Sequence, residues 1–259
     1  MGTAALTLGG VRRGARTRAA TADRCLAFDR LGGPVVAVCG LAGGVGATTI
    51  ALALAHRAAI ESRVPVLVAD NAGATGGLAR LADAASPLSL AGLARLVADG
   101  AELDRVFAEL PSGLRLVATG PGNDGTAAPA DTRAIVSQAR EAHGLVVLDC
   151  GTRWLDDAAA LDDADTVVWT MAATEAGLRG APATLARRHS AARTVLVARE
   201  FAGVARPSVR SLRALAAQGC ERLVLWPDDA RIADRPDAHE LLEPVLAAIG
   251  PILQRGGAR

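Results

Sequence analysis

The run Val35-Val-Ala-Val-Cys39, continued without a break by Gly40-Leu-Ala-Gly-Gly-Val-Gly-Ala-Thr-Thr49, decides how this chain folds. Five apolar residues in a row suit a strand buried on both faces, and the alanine- and leucine-rich stretch from Thr48 to Ile60 suits a helix. Between them, glycines let the chain turn within a few residues. Strand, glycine turn and helix in that order bring backbone amides together at a helix N-terminus, where the dipole also favours an anion. Gly43, Gly44, Val45, Gly46, Ala47, Thr48 and Thr49 are therefore the candidate binding residues.

Outward from this loop the same alternation repeats. Apolar runs at Val35–Val38, Val64–Ala69, Leu114–Ala118, Leu145–Leu148, Thr166–Thr170, Thr194–Val197 and Leu223–Trp226 predict seven strands. Amphipathic segments at Thr48–Ile60, Leu88–Val97, Asp131–Glu141, Gly177–His189, Ser208–Ala217 and His239–Leu253 predict the helices between them. The pattern implies an α/β fold, a mainly parallel seven-stranded sheet covered by helices on both faces. The first strand is expected at its centre, flanked by the strands ending at Asp70 and Asp149. In such a sheet ligands bind beyond the carboxyl ends of the strands. One domain is expected over residues 34–259. Residues 1–33, with Arg12, Arg13, Arg16, Arg18, Arg24 and Arg30 among small residues, read as a mobile basic tail, and Gly120–Ala130 as a mobile loop.

Composition narrows the chemistry. Of 259 residues, 51% are hydrophobic and 21% charged, enough to bury a large core and to exclude a mainly disordered chain. The net charge of +1 gives no overall field for a polyanion or an anionic membrane. No lysine occurs, so all 28 basic side chains are arginines, and Schiff bases, lysine bases and an ammonium for phosphate are excluded. Cys25, Cys39, Cys150 and Cys220 are widely spaced, which argues against a zinc site and for a reducing cytoplasm. His56, His143, His189 and His239 form no recognisable hydrolase arrangement. The absence of a long apolar segment and of a leader pattern predicts a protein neither secreted nor membrane-spanning.

The loop resembles the deviant Walker A motif of the ParA/MinD ATPases, Lys-Gly-Gly-x-Gly-Lys-Thr-Thr, with Gly43, Gly44, Gly46, Thr48 and Thr49 in register and both lysines replaced, by Ala42 and Ala47. Four further blocks resemble the family in the same order. Asp70-Asn-Ala72 matches an Asp-x-Asp whose second aspartate, which orients the attacking water, is Ala72. Leu145–Asp149 resembles the Walker B strand, with Gly151 in place of the usual proline. Ala164-Asp165 opens the next strand, and Thr194–Arg199 with Trp226-Pro227-Asp228 matches strands in which an adenine-reading asparagine is replaced by Ala198. Asp70 with Gly76, Leu90–Leu93 and Pro111–Ala118 look most like the CpaE/TadZ branch and the related actinobacterial septum-site proteins.

The resemblance implies a P-loop NTPase-like three-layer α/β/α sandwich. It also implies a catalytically degenerate localisation or scaffold factor for Flp/Tad pilus assembly or septum placement, cytoplasmic or peripheral at the membrane or pole. Protein partners from that machinery are implied, and a homodimer is compatible. Catalytic residues are expected to be absent. The cofactor is either none or weakly bound ATP or ADP with magnesium, the metal falling to Thr48 and Asp149. Two alternatives stand beside this. One is a weak ATPase in which an arginine replaces the lysine, with Arg153 the nearest candidate by sequence. The other is a DNA-binding protein using Arg187, Arg188, Arg206, Arg210 and Arg213. The acidic pairs Asp156-Asp157 and Asp162-Asp163 read as solvated helix residues, and Trp154 as a packing anchor.

Overall fold

The computed structural model describes residues 26–73, 77–84, 86, 88–99, 107–118, 128–155, 159–186, 192–229, 231–234 and 242–256. β1 (Val35–Gly40), β2 (Val66–Asp70), β4 (Leu114–Val117), β5 (Leu145–Gly151), β6 (Thr166–Ala172), β7 (Arg193–Arg199) and β8 (Arg222–Trp226) are the seven expected strands, and every neighbouring pair among them is parallel. An eighth strand, the two-residue β3 (Ala108–Glu109), is antiparallel to β4 and caps one edge, giving the order β3-β4-β2-β5-β1-β6-β7-β8. Two residues carry too short a pattern to be read from sequence.

Successive residues of each strand point to opposite faces, so each strand feeds two cores. Val36 and Val38 of β1 face one core with α1 (Ala47–Glu61) and α9 (Glu243–Gly256), together with Val195, Val197 and Trp226. Val35, Ala37 and Cys39 face the other, with α3 (Leu90–Ala98), α4 (Pro129–Ala142), α6 (Glu175–Leu185) and α7 (Val209–Ala216). The three layers follow directly. Short helices α2 (Leu78–Leu81), α5 (Ala159–Asp162) and α8 (Arg231–Asp234) complete the connections. Ser89, Thr174 and Ser208 cap α3, α6 and α7, each accepting from the amide three residues on, which satisfies one of the open donors of a first turn.

Two expectations need correction. β1 is central, but its neighbours are β5 and β6; the strand ending at Asp70 lies beyond β5. Buried strands carry apolar residues on both faces, so their local pattern does not choose between neighbours, and the crossover from β1 through α1 skips one position. The second correction concerns the tail. Residues 26–33 are docked: Leu26 and Phe28 are buried, their amides donate to the Glu61 and Ser62 side chains, and Gly32 and Gly33 donate to carbonyls of Arg140 and His143. Two isolated apolar residues were too few to register as a periodic element. Residues 1–25 of the tail and most of the Gly120–Ala130 loop, up to residue 127, lie outside the described residues.

Candidate functional site

β1 ends at Gly40 and α1 starts at Ala47, so the whole reversal is made by six residues at the carboxyl edge of the sheet. Gly46 is the N-cap of α1, at φ 96° and ψ 22°, in the left-handed region that a side chain disfavours. A Cβ there would stand 2.6 Å from the Trp226 ring. No side chain caps α1 and no acidic residue lies in its first turn, so its leading amides and positive dipole face the loop. Ala42, Gly43 and Gly44 are exposed, whereas Val45 and Ala47 are buried.

The loop forms one wall of a cleft of about 490 Å³. All seven candidate residues, Gly43, Gly44, Val45, Gly46, Ala47, Thr48 and Thr49, line it, as do Ala42 and Ala72, so the small residues standing where lysines and the second aspartate were expected sit on the cleft surface. Ala198 is different: fully buried, it packs into the core on the opposite side of the sheet.

Asp70, the last residue of β2, and Asp149, near the end of β5, are paired in register and both buried. Each folds back on its own chain, Asp70 Oδ1 accepting from the Ala72 amide at 3.0 Å and Asp149 Oδ1 from the Gly151 amide at 3.1 Å. Asp149 Oδ2 accepts no hydrogen bond from any described residue. Burial pushes the Asp149 carboxyl up to about 6, the nearby Thr48 hydroxyl and the Gly151 amide offsetting only part of that penalty. A buried carboxylate oxygen without a donor, beside a threonine that lines the cleft, is a donor set suited to a hard divalent cation. Thr48 on the cleft wall and the buried Asp149 beside it are the residues that would hold a magnesium ion, were one bound.

Arg199, at the end of β7, joins the site through the tertiary structure and not through any motif of the sequence. Strand alternation puts it on the α1 face, with Val195 and Val197, and β7–β8 register sets it against Trp226. Its guanidinium carbon lies 4.7 Å from the Trp226 ring centre and 4.8 Å from that of Phe201, within cation–π range of both. One of its nitrogens comes within 3.1 Å of the Cβ position at Gly46, and the residue lines the cleft. Desolvation lowers its pKa, with Asp228 acting in the opposite sense. Arg80 lines the other side. Arg153, the arginine nearest by sequence, does not: it opens the turn Arg153–Leu155, while Gly151 and Thr152 reach the cleft instead. The signal for Arg199 was the period of two along Val195-Leu-Val-Ala-Arg199, combined with a pairing that sequence does not reveal.

Other candidates stay outside the site. Trp154 is an anchor: its indole N–H donates to the Gly40 carbonyl at 2.9 Å, tying the last residue of β1 to the turn after β5, and its ring meets Trp169 edge-on at 4.6 Å. His143 is buried, its Nδ1 2.7 Å from the Ala139 carbonyl. Asp162 and Asp163 pair with Arg133. Arg206, Arg210 and Arg213 are exposed, Arg206 pairing with Glu200, while Leu212 and Leu215 face the core. Asp156, Asp157, Arg187, Arg188, His189 and His239 lie outside the described residues. Among the described residues, no helix is long and apolar enough to cross a membrane.

No protein-family model and no curated protein matches the sequence. Solved structures do match in three dimensions. A ParA family ATPase from Chlorobium tepidum TLS superposes with a TM-score of 0.62 at 14% identity, covering 86% of this chain and 97% of its own. The fold is that of the ParA and MinD ATPases. MinD in the MinC:MinD cell division complex of Aquifex aeolicus matches with a TM-score of 0.64 at 15% identity, over 86% and 95% of the two chains. The septum site-determining protein MinD with Mg-ADP from Pyrococcus horikoshii OT3 gives 0.63 at 12%, over 88% and 95%. The ParA/MinD-like three-layer α/β/α sandwich is therefore present.

Proposed function

We propose that this chain is a degenerate ParA/MinD-like protein that acts as a localisation or scaffold factor, of the kind used in Flp/Tad pilus assembly or septum placement, without turning over nucleotide. The observation that carries the reading is Ala72 together with Ala42 and Ala47 on the cleft wall. Hydrolysis needs a group to orient water and charge to meet the developing negative charge on phosphate. Ala72 leaves the first role unfilled. The loop and the start of α1 supply backbone amides and two threonine hydroxyls, and β5 the Asp149 carboxylate, groups suited to hold an anion and its magnesium but not to drive its cleavage. A neighbour solved as a complex with another cell-division protein supports a role exercised through protein partners, and a homodimer remains compatible with the cleft lying open at the sheet edge. A peripheral place at the membrane or pole belongs to the same reading.

The test is turnover of ATP with magnesium, with and without lipid vesicles or DNA. No rate above that of an Asp149→Ala control is expected, and a rate above it refutes the scaffold reading. Ala47→Lys adds a charged donor at the start of α1, each such contact being worth about 1.5–3 kcal/mol. Calorimetry should show ATP affinity rising by roughly ten- to a hundred-fold in that variant, still without turnover, because Ala72 is unchanged.

A further inference from the structure

We infer that Arg199 supplies the phosphate-binding charge this loop lacks, and that the cleft takes an oligophosphate anion read through its phosphates alone. The inference rests on the reading of the site as degenerate and adds what it still binds. A guanidinium cannot enter from Ala42 or Ala47, but it arrives from the other side of the cleft. β7 carries Arg199 on the α1 face, β8 sets Trp226 beside it, and the two place the guanidinium next to Gly46, the residue that caps α1. Half-buried and stacked, it is held in one place, which lowers the ordering cost of meeting a ligand. The uncapped start of α1, with Thr48 and Thr49, lines the same cleft. The buried Asp149 Oδ2, without a donor among the described residues, is the second, independent mark of a ligand: it suits the cation that accompanies a phosphate chain.

The same arrangement removes base recognition. Of the two rings beside Arg199, Trp226 is buried in the core and Phe201 has the Arg199 guanidinium over one face, so neither offers an open ring to a purine in the cleft. No asparagine, glutamine or aromatic ring among the described residues lines the cleft, and Ala198 points away from it. Asp228, which lies near enough to act on Arg199, tempers the positive charge without removing it.

Calorimetry on the full chain with magnesium, using inorganic tripolyphosphate, ATP and GTP, tests both parts. The three ligands should bind with affinities within about threefold of one another, because only phosphates are read. Arg199→Met keeps an apolar stem against the rings and removes the charge; Arg199→Lys keeps the charge. Tripolyphosphate binding should weaken by about tenfold or more in the methionine variant and by less than about threefold in the lysine variant. Equal affinity in the two variants overturns the role of Arg199. ATP binding about tenfold tighter than tripolyphosphate overturns phosphate-only recognition, and absence of tripolyphosphate binding to the natural chain overturns the inference as a whole. None of these outcomes touches the scaffold reading, which falls only on turnover.

Discussion

Between pH 8 and pH 5 the ligand-free protein should become more stable by about 1–1.5 kcal/mol through Asp149 alone, about half of a full effect of about 3 kcal/mol. The carboxyl titrates near 6 in the folded chain against an ordinary value of 3.8. A raised carboxyl binds its proton more tightly folded than unfolded, so the folded state carries a penalty above about pH 6 that shrinks as pH falls and is gone below about 4. The cause is desolvation of a fully buried carboxylate whose Oδ2 has no donor among the described residues. Thermal unfolding across this range should show a rise of roughly 3–5 °C on acidification that Asp149→Asn abolishes. An identical pH profile in the two proteins would place the linkage elsewhere.

Gly46→Ala should cost about 2–5 kcal/mol. A left-handed backbone costs an ordinary residue about 1–2 kcal/mol, and crowding a packed interior typically costs about 1–3 more. Both apply here, since φ is 96° and the added methyl would stand 2.6 and 2.7 Å from two carbons of Trp226, whose ring is buried between β8 and α1 and has no free direction in which to yield. Gly43→Ala is the control: nothing lies within 4 Å of its Cβ position and its φ is not left-handed, so its effect should stay below about 0.5 kcal/mol. Denaturant unfolding of the two variants separates a strained cap from a general sensitivity of the loop. Equal losses would mean that Trp226 does not pack against Gly46.

Gly46 also shows how far a sequence can be read. That a glycine belongs there follows from the tight turn between strand and helix; that Trp226 closes on it does not, because 180 residues separate the two. The carboxylate is similar. Asp149 was visible as a polar residue ending an apolar run, but the height of its pKa depends on how completely β2, β5 and α1 cover it.

By itself the sequence determined the strand-turn-helix at Val35–Ile60, the seven parallel strands, the loop residues that line the cleft, and the lack of any lysine to serve it. These are local properties: periodicity, glycine content and residue identity act within a few positions. Tertiary structure alone decided the insertion of β5 between β1 and β2, the docking of residues 26–33, and the delivery of Arg199 rather than Arg153 to the loop. Buried central strands look alike from within, so their order is set by which surfaces pack best. A guanidinium reaches a cleft only when strand pairing aims it there, and that pairing is a property of two strands together.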